Sequence, residues 1–335
     1  MSISGTHLLV LLEKGAVPFC AYDNARFGSE PEWMPVNLLQ TIVREARKLQ
    51  TALTLVFGKK RPPVPIEKLV ESTEHAKIVP LALEKTYPDA VLVLEADEVT
   101  SFTALNGSFD RNIILRLTRT NLSSCAALFE ALAGKFRRLS IQLVGVEYFT
   151  QADFAVYERA LQMMADSLGA FYREGQAVEL NVLSDRMMLM GMRNCDAGVK
   201  HFTIAPNGKT YICPAFYYDD EDSFIGDVKK GSAAKPVAGV EFRRAPLCSR
   251  CDAFHCKRCV YLNQKTTLEL NVPSEQQCAV AHMEREASRR LMNELRSIEP
   301  FRTIPLIPEL NYCDPLELID LPPRGVYDPS SDPML

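Results

Sequence analysis

The first 190 residues predict an α/β fold built on a parallel sheet, and two observations carry that prediction. Seven short runs rich in Val, Ile and Leu recur along this stretch, and amphipathic helical segments separate several of them. Strand–helix alternation of this kind belongs to a sheet that stays open or curls into a partial (β/α) barrel. The strand candidates are Leu8–Leu12, Ala52–Phe57, Lys77–Pro80, Ala90–Leu94, Asn112–Leu117, Ile141–Val144 and Glu179–Leu183. Each is short and rich in Val, Ile and Leu, as expected of parallel strands buried on both faces. The helix candidates are Val36–Leu49, Ile66–Thr73, Ser124–Arg138 and Asp153–Glu174. The last carries Phe154, Tyr157, Leu161, Met164, Leu168 and Phe171 on one stripe. Met163, Met164 and the methionines from Met187 to Met192 read as core filler, because a flexible thioether suits irregular gaps.

From Asn194 the character changes. Thr203 to Ile212 reads as a hairpin, two short strands around the Asn207-Gly208 turn. Residues 217–246 read as a loop whose acidic run, Asp219 to Asp222, lacks the ligand spacing of a calcium site. A helix through Ala281–Ser297 follows, with Glu286 and Arg290 one turn apart. The tail after it carries eight prolines from Pro300 to Pro333 and reads as extended. The expected domains are therefore 1–190, 191–298 and a Pro-rich tail, 299–335.

Composition excludes some functions. A chain of 335 residues with 47% apolar content can bury a sizeable core. A net charge of -4 offers no electrostatic footprint for nucleic acid. No run approaches the ~20 apolar residues of a membrane span, and the start lacks a basic export signal. The expectation is a cytoplasmic protein with no membrane and no nucleic-acid partner. In that setting clustered cysteines point to metal rather than disulfides.

Seven of the ten cysteines lie between Cys195 and Cys278. They run Cys195, Cys213, Cys248-x2-Cys251-x4-Cys256-x2-Cys259 and Cys278. A Cys-x2-Cys pair lets two thiolates point at one centre from a tight turn. Seven thiolates exceed one tetrahedral site, so two sites are the natural count.

The order of these features resembles the SPASM domain, the auxiliary iron–sulfur module of radical SAM enzymes that modify peptides and proteins. The stretches that carry it are Asn194-Cys195-Asp196-Ala197-Gly198, Pro206-Asn207-Gly208-Lys209-Thr210-Tyr211-Ile212-Cys213, Phe224-Ile225-Gly226-Asp227-Val228, the four-cysteine knot and Cys278. The knot departs from the family by having four and two residues inside it rather than five and three. The resemblance implies two 4Fe–4S clusters, one on Cys248, Cys251, Cys256 and Cys278. The other would sit on Cys195, Cys213 and Cys259, one ligand short, with His201 a candidate fourth ligand. A backbone-bonded hairpin histidine is the plain alternative for His201. His255, inside the knot, is a candidate hydrogen-bond donor to cluster sulfur.

The same resemblance implies a radical SAM-like partial barrel before residue 190, yet the catalytic pattern is missing. After the first strand the family needs Cys-x3-Cys-x2-Cys; here Cys20 is followed by Asn24 and Phe27 at the second and third positions. The Gly- and Glu-bearing turn that holds the SAM amino group is also absent, since the second strand runs into Gly58-Lys59-Lys60-Arg61-Pro62. These departures argue against SAM binding and against radical SAM chemistry by this chain alone, and leave Cys20, Cys125 and Cys313 as incidental thiols. The knot from Cys251 to Asn263 and the stretch from Glu275 to His282 are more specifically similar to the CXXX-repeat peptide maturase family. That likeness implies maturation of a ribosomally made Cys-repeat precursor peptide beside a radical SAM peptide maturase. Three readings stay open: an iron–sulfur accessory subunit, an independent enzyme using an open site at Cys195, Cys213 and Cys259, and a zinc-binding peptide module.

Overall fold

The structure is a computed structural model that describes residues 7–25, 31–104, 111–189, 195–231, 237, 240, 248, 251, 259–299 and 301–307. In chain order the strands are β1 (His7–Leu11), β2 (Ala52–Val56), β3 (Ala76–Pro80), β4 (Val91–Glu95), β5 (Asn112–Leu117), β6 (Arg138–Leu143), β7 (Glu179–Leu180), β8 (His201–Ile204), β9 (Lys209–Tyr211) and β10 (Gly226–Asp227). The helices are α1 (Val36–Leu49), α2 (Val64–Glu71), α3 (Val99–Thr103), α4 (Cys125–Leu132), α5 (Gln151–Arg173), α6 (Ser184–Met187), α7 (Pro214–Asp219), α8 (Val260–Thr267) and α9 (Glu275–Leu295). The chain forms two compact units: residues 1–118, 131–144 and 196–237 in the first, and 119–130, 145–195 and 238–335 in the second.

The first unit is organised by the sheet. From β8 through β1, β2, β3, β4 and β5 to β6, seven strands run parallel in unbroken order. Beyond β8 the chain doubles back, pairing antiparallel with β9 and then β10. Val10, Leu55, Leu92, Leu115 and Ile141 are all but fully buried, which is why these strands read as near-continuous apolar runs. Helix α1 lays Leu38, Leu39, Ile42, Val43 and Ala46 on one buried stripe. The β8–β9 turn forms because Gly208 adopts φ +85°, open to glycine at no steric cost, while Asn207 Oδ1 accepts the Lys209 amide at 2.9 Å.

The second unit packs α5 against α9. Thr150 and Asp153 close a capping box at the start of α5, and Asp153 also pairs with Arg119 at 2.8 Å. Tyr157, Leu161, Met164 and Leu168 are buried along α5, as the stripe predicts. Met163, its neighbour, is 54% exposed, so only one of that pair fills the core. Glu284 of α9 is wholly buried, accepts a hydrogen bond from the Tyr157 hydroxyl at 2.8 Å and pairs with Arg186. Cys125 is buried with its Sγ 3.8 Å from Met164 Sδ, a packing role. The segment predicted as a strand over Glu179–Leu183 gives only two strand residues before α6; Leu183 has ψ -73°, outside the extended range. The start of the tail is not extended: Phe301–Thr303 makes a 3-10 turn, with Phe301 against Tyr172 at 4.8 Å between ring centres. Among the described residues no helix is long and apolar enough to cross a membrane.

Candidate functional site

Two places gather chemistry-bearing side chains, one in each unit. In the first unit it is the carboxyl-end edge of the parallel strands, where α/β sheets commonly bind their ligands. Chain reversal after β1 turns Glu13 inward, 3% exposed. Its carboxylate lies against Gly58, two residues past β2; a Cβ there would stand 1.3 Å from Glu13 Oε1, so any larger residue must displace the Glu13 side chain. Burial pushes the Glu13 carboxyl up to about 7, against the pull of the nearby Lys60 ammonium.

Further along the sheet, Arg116 of β5 stands in register beside Glu95 of β4. Its guanidinium pairs with the Glu95 carboxylate and donates to the carbonyl oxygens of Cys20 at 3.2 Å and Tyr22 at 2.7 Å. Burial raises the Glu95 carboxyl and Arg116 partly offsets it. Tyr22 in turn stacks on Tyr218 of α7, 5.2 Å between centres and 14° from parallel, and the Tyr218 hydroxyl donates to the Ala16 carbonyl. Asn24 donates to the same Ala16 carbonyl at 2.9 Å. The loop after β1 is thus held by its own side chains and by Arg116. Burial, with Tyr218, Cys20 and Cys213 adding, raises the Tyr22 phenol well above its ordinary value.

His201 opens β8 in register with His7 of β1, their rings edge to face at 5.2 Å. The His7 ring lies 2.6 Å from the Thr54 hydroxyl, and burial, helped by His201, lowers its basicity. The backbone N–H of His201 donates to the Asp196 carbonyl at 3.0 Å. Cys213, half-buried, is the residue preceding the first turn of α7.

The second unit holds most of the remaining candidate ligands. Cys251 donates its backbone N–H to the Cys248 carbonyl at 3.1 Å, the tight turn that a Cys-x2-Cys pair requires. Cys278 lies in the first turn of α9, with Ser274 as the cap accepting the Gln277 amide at 3.3 Å. Four residues on, His282 brings its Nε2 to 3.6 Å from Cys251 Sγ. Cys259 precedes α8, and burial, with the neighbouring Cys195 thiol adding to it, pushes its thiol up to about 12. A metal there must displace that proton. Cys256 and His255 of the knot, Phe27 and Cys313 lie outside the described residues. Among the described residues no three His, Cys, Asp or Glu side chains converge on a single metal position.

Glu13, Arg116 and His282 were not singled out from sequence. A charged residue directly after a buried strand was the available signal for Glu13. For His282 it was the four-residue spacing from Cys278, which puts both on one helix face.

No protein-family model matches the chain, and no curated protein matches it as a relative. Solved structures do. Hexahistidine-tagged anSMEcpe with bound AdoMet aligns at TM-score 0.60 and 13% identity, over 88% of this chain and 96% of that one. Native anSMEcpe with bound AdoMet and Cp18Cys peptide aligns at TM-score 0.58 and 15% identity, over 87% and 99%. At these identities the likeness is one of fold: this chain shares the α/β fold of those two structures.

Proposed function

We propose that this chain is an iron–sulfur-binding accessory subunit in the maturation of a ribosomally made, Cys-repeat peptide, working beside a catalytic radical SAM peptide maturase. The observation that carries the reading is the strand-end edge of the first unit. The chain shares its fold with a protein solved with AdoMet, and at this edge its own side chains bond to one another and to the loop after β1. Glu13 lies against Gly58, and Arg116 ties the Cys20–Tyr22 loop to the sheet.

The residues at the catalytic-cluster positions do not fit such a cluster. Cys20 offers a lone thiolate, and the Asn24 amide is spent on the Ala16 carbonyl. No step is derived through a cluster or SAM at this edge. The cysteine-rich part of the second unit fits soft metal chemistry better. The Cys248–Cys251 turn, Cys278 in the first turn of α9, and Cys195 beside Cys259 supply thiolates of the type iron–sulfur clusters use. When bound, such clusters would supply electron transfer or a substrate anchor. The protein's own part would be to hold them on α8 and α9 and to present a peptide to its partner.

The test is anaerobic incubation of the reduced protein with SAM, alone and with a radical SAM maturase and precursor peptide. No 5′-deoxyadenosine from the chain alone, together with a requirement for it in peptide modification by the partner, supports the reading. Deoxyadenosine from the chain alone would sink it.

A further inference from the structure

We infer that the groove between α5 and α9 is a docking site for a basic segment of a partner protein, taking the side chain of one arginine or lysine. The site lies wholly in the second unit and stands whether or not the chain binds metal. Residues about one turn apart give each helix a single lining face: Glu158, Leu161 and Ala165 on α5, and Ala287, Leu291 and Glu294 on α9. The floor is apolar, made by Leu161 and Ala165 from one helix and Ala287 and Leu291 from the other. Alanine at two of those four positions leaves about 50 Å³ open between the helices. That is room for about four water-sized groups, which matches the methylene stem of a lysine or arginine laid along apolar surface.

The rim decides the sign of the occupant. Glu158 and Asp166 of α5 and Glu286 and Glu294 of α9 stand on it against one cation, Arg290. Arg290 is already 3.1 Å from Glu286, which also pairs with Arg289 at 2.8 Å, and Glu294 lies 3.6 Å from Arg173. Glu158 and Asp166 are exposed and form no ion pair among the described residues. They stand about 12 Å apart along α5, so a cationic head leaving the apolar floor in either direction meets a carboxylate. The same charges turn away other occupants. Residues 308–335 carry six carboxylates and one arginine, the wrong sign for this rim. A second copy would bring a chain of net charge -4 and, about a two-fold axis, the same acidic rim.

The probe is a fluorescein-labelled amphipathic peptide of about four helical turns, alanine and leucine with arginine once per turn, beside a counterpart with glutamine for arginine. Anisotropy titrations compare wild type with the double variant Glu158→Lys, Asp166→Lys, which reverses the unpaired charges, and with Ala287→Phe, which fills the floor. Gln162→Trp, at an exposed rim position, covers the groove without touching the packing of α9. The expected result is binding of the arginine peptide that weakens with salt, about tenfold weaker binding of the glutamine peptide, and a loss of about tenfold in every variant. No binding of the arginine peptide to wild type overturns the inference, as does equal affinity for the two peptides. A loss confined to the charge reversal marks a diffuse acidic surface, and a loss confined to Ala287→Phe and Gln162→Trp marks an apolar partner; either overturns it. A wild-type dimer in sedimentation that Ala287→Phe dissociates would give the groove to a second copy and overturn it likewise.

Discussion

Replacing Glu13 by Gln should make the protein more stable, and increasingly so as the pH rises. The carboxyl is buried against Gly58 and held at about 7, where the ordinary value is 4.5. Below the ordinary value both folded and unfolded chains keep the proton, and burial is without consequence. Between pH 4.5 and about 7 the unfolded chain releases it while the folded chain retains it, so stability falls as pH rises. Above about 7 the folded chain carries a buried carboxylate and the loss is complete. Each tenfold in a proton equilibrium is worth about 1.4 kcal/mol, so the full displacement costs about 3 kcal/mol. Gln keeps the shape and carries no charge. Urea unfolding should therefore show Glu13→Gln ahead of wild type by about 1 kcal/mol at pH 5 and about 3 kcal/mol at pH 8. Lys60 faces the same carboxylate, and its attraction is already contained in the raised value. A difference that stays constant between the two pH values would refute the reasoning, because a neutral packing change has no slope.

Other substitutions probe the same architecture. Gly58→Ala drives a methyl into Glu13 and should cost about 2 kcal/mol. Most of that loss should vanish in the Glu13→Ala background, and a purely additive double-mutant cycle would deny the contact. Arg116→Met removes the donors to the Cys20 and Tyr22 carbonyls and should lower stability by about 2 kcal/mol while speeding amide exchange over residues 20–24. Unchanged exchange there would show that Arg116 does not hold the loop. Glu284→Gln leaves the Arg186 guanidinium buried without its counter-charge and should cost about 3 kcal/mol in urea unfolding. A loss below about 1 kcal/mol would mean that the pair is not the anchor of α9.

Much of the fold was legible because buried parallel strands leave short, regularly recurring apolar runs. The runs at β1, β2, β4 and β5 are rich in Val, Ile and Leu, and the structure finds each within a residue or two of its expected bounds. Helix α5 was equally plain, since its stripe keeps a helical period through Tyr157, Leu161, Met164 and Leu168. The short helices were not. Helix α7 carries Tyr217 and Tyr218, buried by the contacts their rings make with Tyr211 and Tyr22, not by any local pattern. The segment after Glu179 reads as a strand because it is apolar, but apolar character alone does not distinguish a strand from a buried turn.

The site was legible in a different measure. Cysteine spacing names candidate ligands because thiolates are scarce and their separations are constrained by the turn that carries them. Glu13, Arg116 and His282 act through distant partners: Gly58 for the first, the loop carbonyls for the second and Cys251 for the third. The Lys59-Lys60-Arg61 run reads as a solvated loop; Arg61 pairs with Glu67 at 2.6 Å, and Lys60 stands near the buried Glu13. No period or motif marks such pairings, because a fold, not a local sequence, sets them.

The central claim is that clusters belong to the cysteines from Cys195 to Cys278 and not to the loop after β1. Iron and sulfide analysis of anaerobically reconstituted wild type, Cys20→Ser and Cys251→Ser tests it most directly. About eight irons per chain in wild type and in Cys20→Ser, falling to about four in Cys251→Ser, is the predicted result. A loss of about four irons in Cys20→Ser would place a cluster on the β1 loop and contradict the account.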